Sequence, residues 1–364
     1  MRHLAISTHH ARSIALVAIL GLLLSASDGI ATGMCEILGP AAQFAVVATE
    51  KLTTANYSRS AFLHQIPYPN FFESACAATI SAGLLGNWED MVGAASTGTA
   101  ISFQILKQKF GGGHEFYPYC YSYPGPYYPC NANLVYGDVV TGGGRISAFR
   151  DLLPRNVTLV DTTGNHPLVE PCNSSIARVQ SVSASLARGL LPGEPPSAAR
   201  SIIDLGDVFV PKGEEVDLQS TGAPLTIYNV HNLTIETGHR VEYYQVPYIT
   251  GGGTLNLITG PDEGLVINVT GRLKIGRGTE VSGDDLTTLI NVPGKGPAIS
   301  LRQTTFQVPL LAPERNLNVE ALGGGTELYY DRTPNVAGRK LRVIGSAAMG
   351  YQSDLPRECG FSQY

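Results

Sequence analysis

Apolar and polar residues alternate in short segments along residues 253–313, and turn-forming residues separate these segments. Alternation with a period of two, bounded by Gly, Pro, Asn or Asp, is typical of β-strands. Strands this short and this closely spaced leave little room for helices and favour a chain that coils repeatedly. The predicted strands are Thr254–Ile258, Gly264–Val269, Arg272–Ile275, Leu286–Ile290 and Ala298–Leu301.

The same pattern extends over residues 201–344, and it continues less clearly towards the N-terminus. Phe44–Val47 is a candidate buried strand, whereas Ser74–Ile80 fits either a helical turn or a strand. No repeat of fixed length is present, which favours an irregular β-helix over a stack of identical coils. Further strands are predicted at Ile202–Leu205, Val208–Val210, Glu215–Leu218, Leu225–Val230, Leu233–Glu236, Leu317–Val319 and Leu341–Ile344.

One segment has the period of an α-helix. Its N-cap is predicted at Asn173 or Ser174, and its end between Gly189 and Pro195. Spacings of three and four residues place its apolar side chains on one face, so we expect the helix to pack along the side of the β-coil. These apolar residues are Ile176, Val179, Val182, Leu186 and Leu190.

Composition agrees with a folded, mainly β chain. The 364 residues include 41 Gly and 23 Pro, 43 % are hydrophobic and 15 % are charged. The apolar fraction is sufficient for a core. The net charge of −5 gives no reason to expect nucleic acid or an anionic membrane as a partner.

The N-terminus predicts secretion. Basic residues precede the apolar run Ile14–Leu24, and the small residues Ser25, Ala26 and Ser27 follow it. We interpret residues 1–27 as a signal peptide, because the run is too short to be favoured as a spanning helix; a retained signal anchor is the alternative. No apolar tail follows residue 349, so neither a GPI signal nor a C-terminal anchor is expected in the tail 349–364.

Six cysteines follow the signal peptide, and an even number in a secreted chain favours disulfides. Cys120–Cys130 would close a tyrosine-rich loop, and Cys35–Cys359 would tie the two ends of the chain together. No CxxC pair is present, so no zinc site is predicted. Five sequons favour a glycosylated protein, at Asn56, Asn156, Asn173, Asn232 and Asn268.

The order of these elements resembles the choice-of-anchor A domain, a family of adhesive modules on secreted and surface proteins. The similarity spans about residues 38–345, and we place the domain at 36–348. The motifs that carry it are Leu38-Gly39, Leu134–Gly143, the helix before Leu218–Val230, Gly264–Gly271, Leu289–Val292 and Pro309–Pro313. The resemblance implies a right-handed parallel β-helix with one helix alongside, and an adhesive rather than catalytic role. Some eukaryotic members of the family resemble wall lectins for cellulose or chitin.

The first hundred residues match that family poorly, and residues 110–131 form an insertion in it. This insertion is rich in Tyr, Pro and Cys, and its prolines exclude an inner strand. Tyrosine rings stack on sugar C–H faces while their hydroxyls form hydrogen bonds, so the loop is a candidate ligand site. Self-packing of the loop and tyrosine cross-linking are the alternatives. Its tyrosines are Tyr117, Tyr119, Tyr121, Tyr123, Tyr127 and Tyr128.

A second aromatic group contains Tyr243 and Tyr244 with Tyr248, and the pair Tyr329 and Tyr330. Neighbouring residues of a strand point to opposite faces, so one of each adjacent pair is expected to point outwards, where it would suit a polysaccharide chain. Ordinary surface aromatics are the alternative. The only tryptophan, Trp88, is expected in the core rather than in a binding platform.

The chain lacks the complete motifs of the known β-helix enzymes. Asp284 and Asp285 resemble the paired carboxylates of polygalacturonases, but the accompanying Asn-Thr-Asp and Gly-His-Gly motifs are absent. We therefore interpret the two aspartates as turn residues. The histidines lack the spacing of metal ligands, and no nucleophile elbow or phosphate-binding loop is present.

The sequence thus predicts a secreted, non-catalytic module that binds a cell-wall or matrix polysaccharide through exposed aromatic residues. The predicted module needs no cofactor or metal and does not insert into a membrane once the signal is removed. An adhesin for proteins or for copies of itself is the first alternative, and a polysaccharide-active hydrolase or lyase is the second. Ice binding lacks the regular Thr-x-Thr array that would support it. The sequence leaves the oligomeric state open.

Overall fold

The structure is a computed structural model, and the predicted signal peptide lies outside the residues that it describes. It describes residues 31–55, 70–72, 75–81, 84–87, 119–120, 128–129, 132–135, 139–141, 146–147, 159–160, 169–191, 200–243, 246–321, 336–345, 348–349 and 359–360. Within these ranges the chain is mainly β, with two α-helices and one 3-10 helix. The helices are α1 (Ala31–Leu38), a 3-10 helix (Gly39–Gln43) and α2 (Val169–Leu186).

The strands are numbered in chain order. Those before α2 are β1 (Val46–Ala55), β2 (Asn70–Phe72), β3 (Ala75–Ser81), β4 (Leu84–Asn87), β5 (Tyr119–Cys120), β6 (Tyr128–Pro129), β7 (Ala132–Val135), β8 (Val139–Thr141), β9 (Ile146–Ser147) and β10 (Leu159–Val160). Those after it are β11 (Arg200–Val210), β12 (Glu215–Gln219), β13 (Leu225–Ile235), β14 (His239–Tyr243), β15 (Val246–Thr250), β16 (Thr254–Ile258), β17 (Gly264–Val269), β18 (Leu273–Ile275), β19 (Glu280–Ser282), β20 (Thr288–Asn291), β21 (Ile299–Arg302), β22 (Thr305–Phe306), β23 (Leu310–Ala312), β24 (Leu317–Ala321), β25 (Val336–Gly345) and β26 (Ala348–Met349).

A long parallel sheet organises the molecule. Its main row of strands, here called the helix-side row, has the order β10-β8-β3-β1-β25-β23-β20-β17-β13-β11. The long strands β1, β13 and β25 continue into a second row, in which they join β18, β21 and β24. A separate parallel sheet has the order β12-β16-β19-β22. The continuous core lies between the two sheets, with fully buried residues such as Leu233, Leu255 and Ile290.

The first strand lies in the middle of the long sheet rather than at its edge. β1 pairs with β25 on one side and with β3 on the other, both in parallel. The chain therefore passes from β1 to β10 at one end of the helix-side row. It resumes at β11, at the other end, and returns strand by strand until β25 meets β1.

Helix α2 covers the outward side of the helix-side row. Val179, Val182 and Leu186 are buried, which confirms the predicted apolar face, and they pack against sheet residues such as Ile227 and Val266. Such a side chain contributes about 1.5–3 kcal/mol when it is fully buried. This contact fixes α2 to the sheet through ordinary hydrophobic packing.

The predicted start of α2 was wrong. The helix begins at Val169 rather than after Asn173, because Pro171 lies in the first turn, where its missing N–H has no intrahelical partner to lose. The helix ends at Leu186. Gly189 then adopts a left-handed conformation (φ 69°), and the amide of Leu190 donates to the carbonyl of Ser185 at 3.0 Å.

Two disulfides attach the helices to the rest of the chain. Cys76 of β3 is bonded to Cys172 of α2, with Cα atoms 5.5 Å apart. Cys35 of α1 is bonded to Cys359, with Cα atoms 5.1 Å apart. The sequence had suggested the second of these pairs and not the first. Its other suggestion, Cys120–Cys130, includes a residue outside the described ranges.

Candidate functional site

The separate sheet of β12, β16, β19 and β22 presents a polar outward side. Its side chains alternate: those pointing inwards, such as Leu255 and Val281, are buried in the core, and their neighbours point outwards. We call the outward side the ladder surface. It consists of Glu215, Asp217, Gln219, Thr254, Asn256, Ile258, Glu280, Ser282 and Thr305.

Hydrogen bonds hold part of the ladder surface in a fixed arrangement. The Asn256 amide donates to Asp217 Oδ1 at 2.8 Å, and the Ser282 hydroxyl donates to Asn256 Oδ1 at 2.6 Å. The three residues occupy matching positions on neighbouring strands. Polar groups held in one geometry lose little side-chain entropy when they bind a ligand.

A second row of matching positions runs beside the first, from Glu215 through Thr254 and Glu280 to Thr305. Neighbouring strands of a sheet lie about 4.8 Å apart, so both rows present polar groups at that repeat. The outward residues include acidic side chains but no Lys or Arg. The surface therefore suits a neutral, hydroxyl-rich ligand better than an anionic one.

The hairpin of β14 and β15 projects beside the ladder surface. It is antiparallel, unlike the sheets around it, and connects β13 to β16. At its base the amide of Gly252 donates a hydrogen bond to the carbonyl of Gly278. The amide of Gly278 in turn donates one to the carbonyl of Gln303. Each of these residues stands two positions before the first residue of β16, β19 or β22. The base of the hairpin therefore adjoins the second row of the ladder surface, at Thr254, Glu280 and Thr305.

The hairpin places the predicted residue Tyr243 near its tip. Tyr243 ends β14 and pairs with Val246 across two intervening residues. A strand of five residues extends about 17 Å. Tyr244, the other tyrosine of this predicted pair, lies outside the described residues.

The tyrosine-rich loop is described only at four positions. Tyr119 and Tyr128 belong to β5 and β6, which pair antiparallel. This short ladder joins the two halves of the predicted loop. The remaining predicted tyrosines of the loop lie outside the described residues: Tyr117, Tyr121, Tyr123 and Tyr127.

The prediction of a glycan on Asn268 was wrong. Its side chain is fully buried beneath α2, and its amide donates to the carbonyl of Leu186 at 2.7 Å. A glycan would break this contact and has no space there. Asn173 is exposed on α2, while Asn232 is half-buried and donates to Asp207 Oδ1 at 3.0 Å. Asn56 and Asn156 lie outside the described residues.

Asp284 and Asp285 belong to a turn before β20. Asp284 Oδ1 accepts a hydrogen bond from the amide of Leu286 at 2.8 Å. The backbone carbonyl of Asp284 accepts another from the amide of Thr288. This is the local pattern by which aspartate forms a turn. Within the described ranges no cluster of three His, Cys, Asp or Glu could hold a metal ion. No helix in those ranges has the length and apolarity needed to cross a membrane.

The ladder surface was missed by the sequence analysis, although its residues were assigned to strands. Outward positions of Thr254–Ile258 could be derived from alternation alone. Their alignment with positions on β12 and β19 could not, because the intervening loops differ in length. One signal could have indicated the alignment. An aspartate on one strand and an asparagine on the strand that pairs with it recur at three places: Asp204–Asn229, Asp207–Asn232 and Asp217–Asn256.

Comparisons with known proteins give low identity. No family model matches the chain, and no curated protein matches it. An ice-binding protein from the Antarctic ascomycete Antarctomyces psychrotrophicus is similar in structure, with 8 % sequence identity, a TM-score of 0.29, and coverage of 86 % of this chain and 97 % of that chain. The DUF3494 domain of an ice-binding protein from Shewanella frigidimarina is also similar, with 13 % sequence identity, a TM-score of 0.25, and coverage of 85 % of this chain and 96 % of that chain.

Proposed function

We propose that the protein is a secreted, non-catalytic binding module for a neutral cell-wall or matrix polysaccharide of the cellulose or chitin class. In this proposal the long sheet and the ladder-surface sheet are faces of one right-handed, irregular parallel β-helix. The chain would belong to the choice-of-anchor A family. The two disulfides are consistent with folding in an oxidising, extracellular compartment.

The observation that carries the proposal is the position of the β14–β15 hairpin beside the ladder surface. The hairpin starts next to the ladder surface, and Tyr243 lies towards its tip, about one strand length from the base. Aromatic rings stack on the C–H faces of sugars, and the amide of Asn256 and the carboxylate of Asp217 form hydrogen bonds to hydroxyls. An extended sugar chain could use both at once, without any catalytic group.

The test is sedimentation of the purified mature protein with insoluble cellulose and with chitin. Replacing Tyr243 and Tyr244 by alanine is expected to weaken binding about tenfold, the loss expected for two aromatic contacts. Phe209→Ala is the matched control, because Phe209 is an exposed aromatic residue (54 %) on a different strand. Equal losses in both variants, or no binding to either polymer, would contradict the proposal.

The alternatives give different results in the same experiments. Binding to a matrix protein, or to immobilised copies of the chain, without polysaccharide binding would favour the protein adhesin. Release of reducing ends that Asp284→Asn abolishes would favour an enzyme. The printed names of the similar structures suggest ice as one more ligand, which thermal hysteresis would detect. The charged residues Glu215 and Glu280 on the ladder surface do not favour ice, because carboxylates hold their own water strongly.

A further inference from the structure

The second row of the long sheet has an outward side with a different charge from the ladder surface. Side chains alternate along β25: Leu341 and Val343 are buried, whereas Lys340 and Arg342 are exposed. The alternation of β1, β18 and β21 likewise directs basic side chains outwards. We call this side the basic surface. Its basic residues are Lys51, Lys274, Arg302, Lys340 and Arg342, and the acidic residue Glu320 pairs with Arg302 in the register of β21 and β24.

The topology assembles this surface from distant parts of the sequence. Strand β18 contacts β21, which pairs with β24, and β24 pairs with β25, which pairs with β1. Four strand spacings separate Lys274 from Lys51, about 19 Å in all. The five basic residues are spread over most of the sequence. The net charge of −5 therefore gives no indication that they form a local basic cluster.

A line of polar residues crosses the basic surface through Arg342. Ser300, Asn318, Arg342 and Thr53 occupy matching positions on four successive strands. The register continues to Ser81 of β3. A linear ligand crossing the strands along this line would meet a hydrogen-bonding or cationic group on every strand.

Two lysines face each other across neighbouring strands at the β1 end of the surface. Lys51 pairs with Lys340 in the register of β1 and β25. Like charges directly opposite each other destabilise a sheet. Only Lys340 is neutralised locally, by Glu50 Oε1 at 2.9 Å. Among the described residues, neither Lys51 nor Arg342 has a carboxylate within ion-pair distance. A surface built in this way is more stable when an anion bridges its cations.

We propose that the basic surface binds a linear acidic polysaccharide through regularly spaced carboxylates. The planar guanidinium of Arg342 can bind a carboxylate through two hydrogen bonds, and the lysines contribute point charges. The neighbouring serine, asparagine and threonine side chains suit sugar hydroxyls. This surface is separate from the ladder surface, so one molecule could bind a neutral and an acidic polymer together and crosslink them.

The test compares polygalacturonate with its fully methyl-esterified form, which has the same backbone without charge. We expect the protein to bind the first at low salt and not the second, and the affinity to fall as salt is raised. Replacing Lys51, Lys274 and Arg342 by glutamine is expected to weaken this binding roughly tenfold, the combined effect of three exposed charge contacts.

The matched control removes the same number of charges elsewhere, by glutamine at the exposed residues Arg188, Lys212 and Lys295. It is expected to retain affinity within about twofold, because distant surface charges are screened. Equal losses in both triple variants would show non-specific attraction and overturn the proposal. So would the absence of polygalacturonate binding, or binding only to phosphatidylserine vesicles, which would identify a membrane as the partner.

The proposal is independent of the proposed function. The basic-surface variant is expected to sediment with cellulose or chitin as the wild type does. The variant lacking Tyr243 and Tyr244 is expected to bind polygalacturonate normally. Failure of one binding activity can therefore be distinguished from failure of the other, and circular dichroism of each variant verifies that it is folded.

Discussion

Asn268 offers a test of how α2 is attached to the long sheet. It belongs to a line of side-chain amides on the outward side of the helix-side row, together with Asn229 and Asn291. The Asn268 amide donates to the carbonyl of Leu186 at 2.7 Å and to Asn229 Oδ1 at 3.1 Å. Its own Oδ1 accepts a hydrogen bond from the amide of Asn291 at 2.9 Å. The line thus connects the last turn of the helix to three strands.

Replacing Asn268 by alanine removes three hydrogen bonds at a fully buried position. At about 1 kcal/mol for each bond, the free energy of unfolding should fall by about 3 kcal/mol. The loss should not be much larger, because two of the three groups left behind keep other partners and the third, Asn229 Oδ1, belongs to a half-buried side chain that water can reach. The Leu186 carbonyl still accepts from the amide of Gly189, and the Asn291 amide still donates to the carbonyl of Ser183.

The aspartate variant gives the sharper result. Asn268→Asp keeps the shape of the side chain but places an oxygen against the Leu186 carbonyl and buries an acid. It should therefore destabilise the protein by about 2 kcal/mol more than alanine does. Asn256→Ala is the matched control, because Asn256 also makes two side-chain hydrogen bonds but on a half-exposed surface where water replaces them. A loss of only about 0.5 kcal/mol is expected there.

Urea unfolding followed by circular dichroism measures these differences, with the slope on urea concentration used to verify that the denatured state is unchanged. Amide hydrogen exchange at residues 183–186 provides a local readout, since the last turn of α2 should open more often in the Asn268 variants. Equal stability of the alanine variants at 268 and 256 would refute the reasoning. So would an aspartate variant no less stable than the alanine one.

Two further predictions concern the disulfides and the hairpin base. Mild reductant should open the Cys35–Cys359 disulfide before the Cys76–Cys172 disulfide, because Cys359 is partly exposed and Cys76 is fully buried. Alkylation of the released thiols followed by mass spectrometry gives the order of opening. The reverse order would show that burial does not govern access of the reductant. Gly278→Ala should lower the free energy of unfolding by more than 3 kcal/mol, since Gly278 has a φ of 67° and an added Cβ would lie 2.6 Å from the carbonyl oxygen of Ile249. Gly206→Ala, at a φ of 68° with no atom within 4 Å, should cost only about 1–2 kcal/mol, and similar losses in the two variants would contradict this steric account.

Local patterns were sufficient to predict most of the strands from residue 200 onwards, although β14, β15, β19, β22 and β23 were not predicted. Thr254–Ile258 and Gly264–Val269 were predicted with the bounds that the structure has, because alternation and flanking turn residues act within the segment itself. The segments predicted as two strands at 225–230 and 233–236 form one, β13, whose two halves pair with different neighbours. Period-two alternation contains no information about such a change of partner.

The role of Asn268 could have been inferred from a repeat that was not used. An apolar residue, asparagine and valine recur at residues 228–230, 267–269 and 290–292. Such a repeat on successive strands indicates a ladder of buried amides, and in that setting the sequon at Asn268 is incidental. The position of β1 between β25 and β3 could not be inferred, because pairing between distant strands depends on the whole topology rather than on either segment.

The central position of β1 also has a consequence for how the protein is made. Val46 of β1 pairs with Val336 of β25, so the first strand of the sheet to be synthesised keeps one unpaired edge until nearly all of the chain has emerged. The bond between Cys35 and Cys359 is subject to the same delay. If the chain is secreted, as proposed above, its N-terminal strands would need to be shielded from other chains during translocation, and folding should depend on chaperones of the secretory pathway. Translation that stops before β25 should yield aggregates rather than a smaller folded domain.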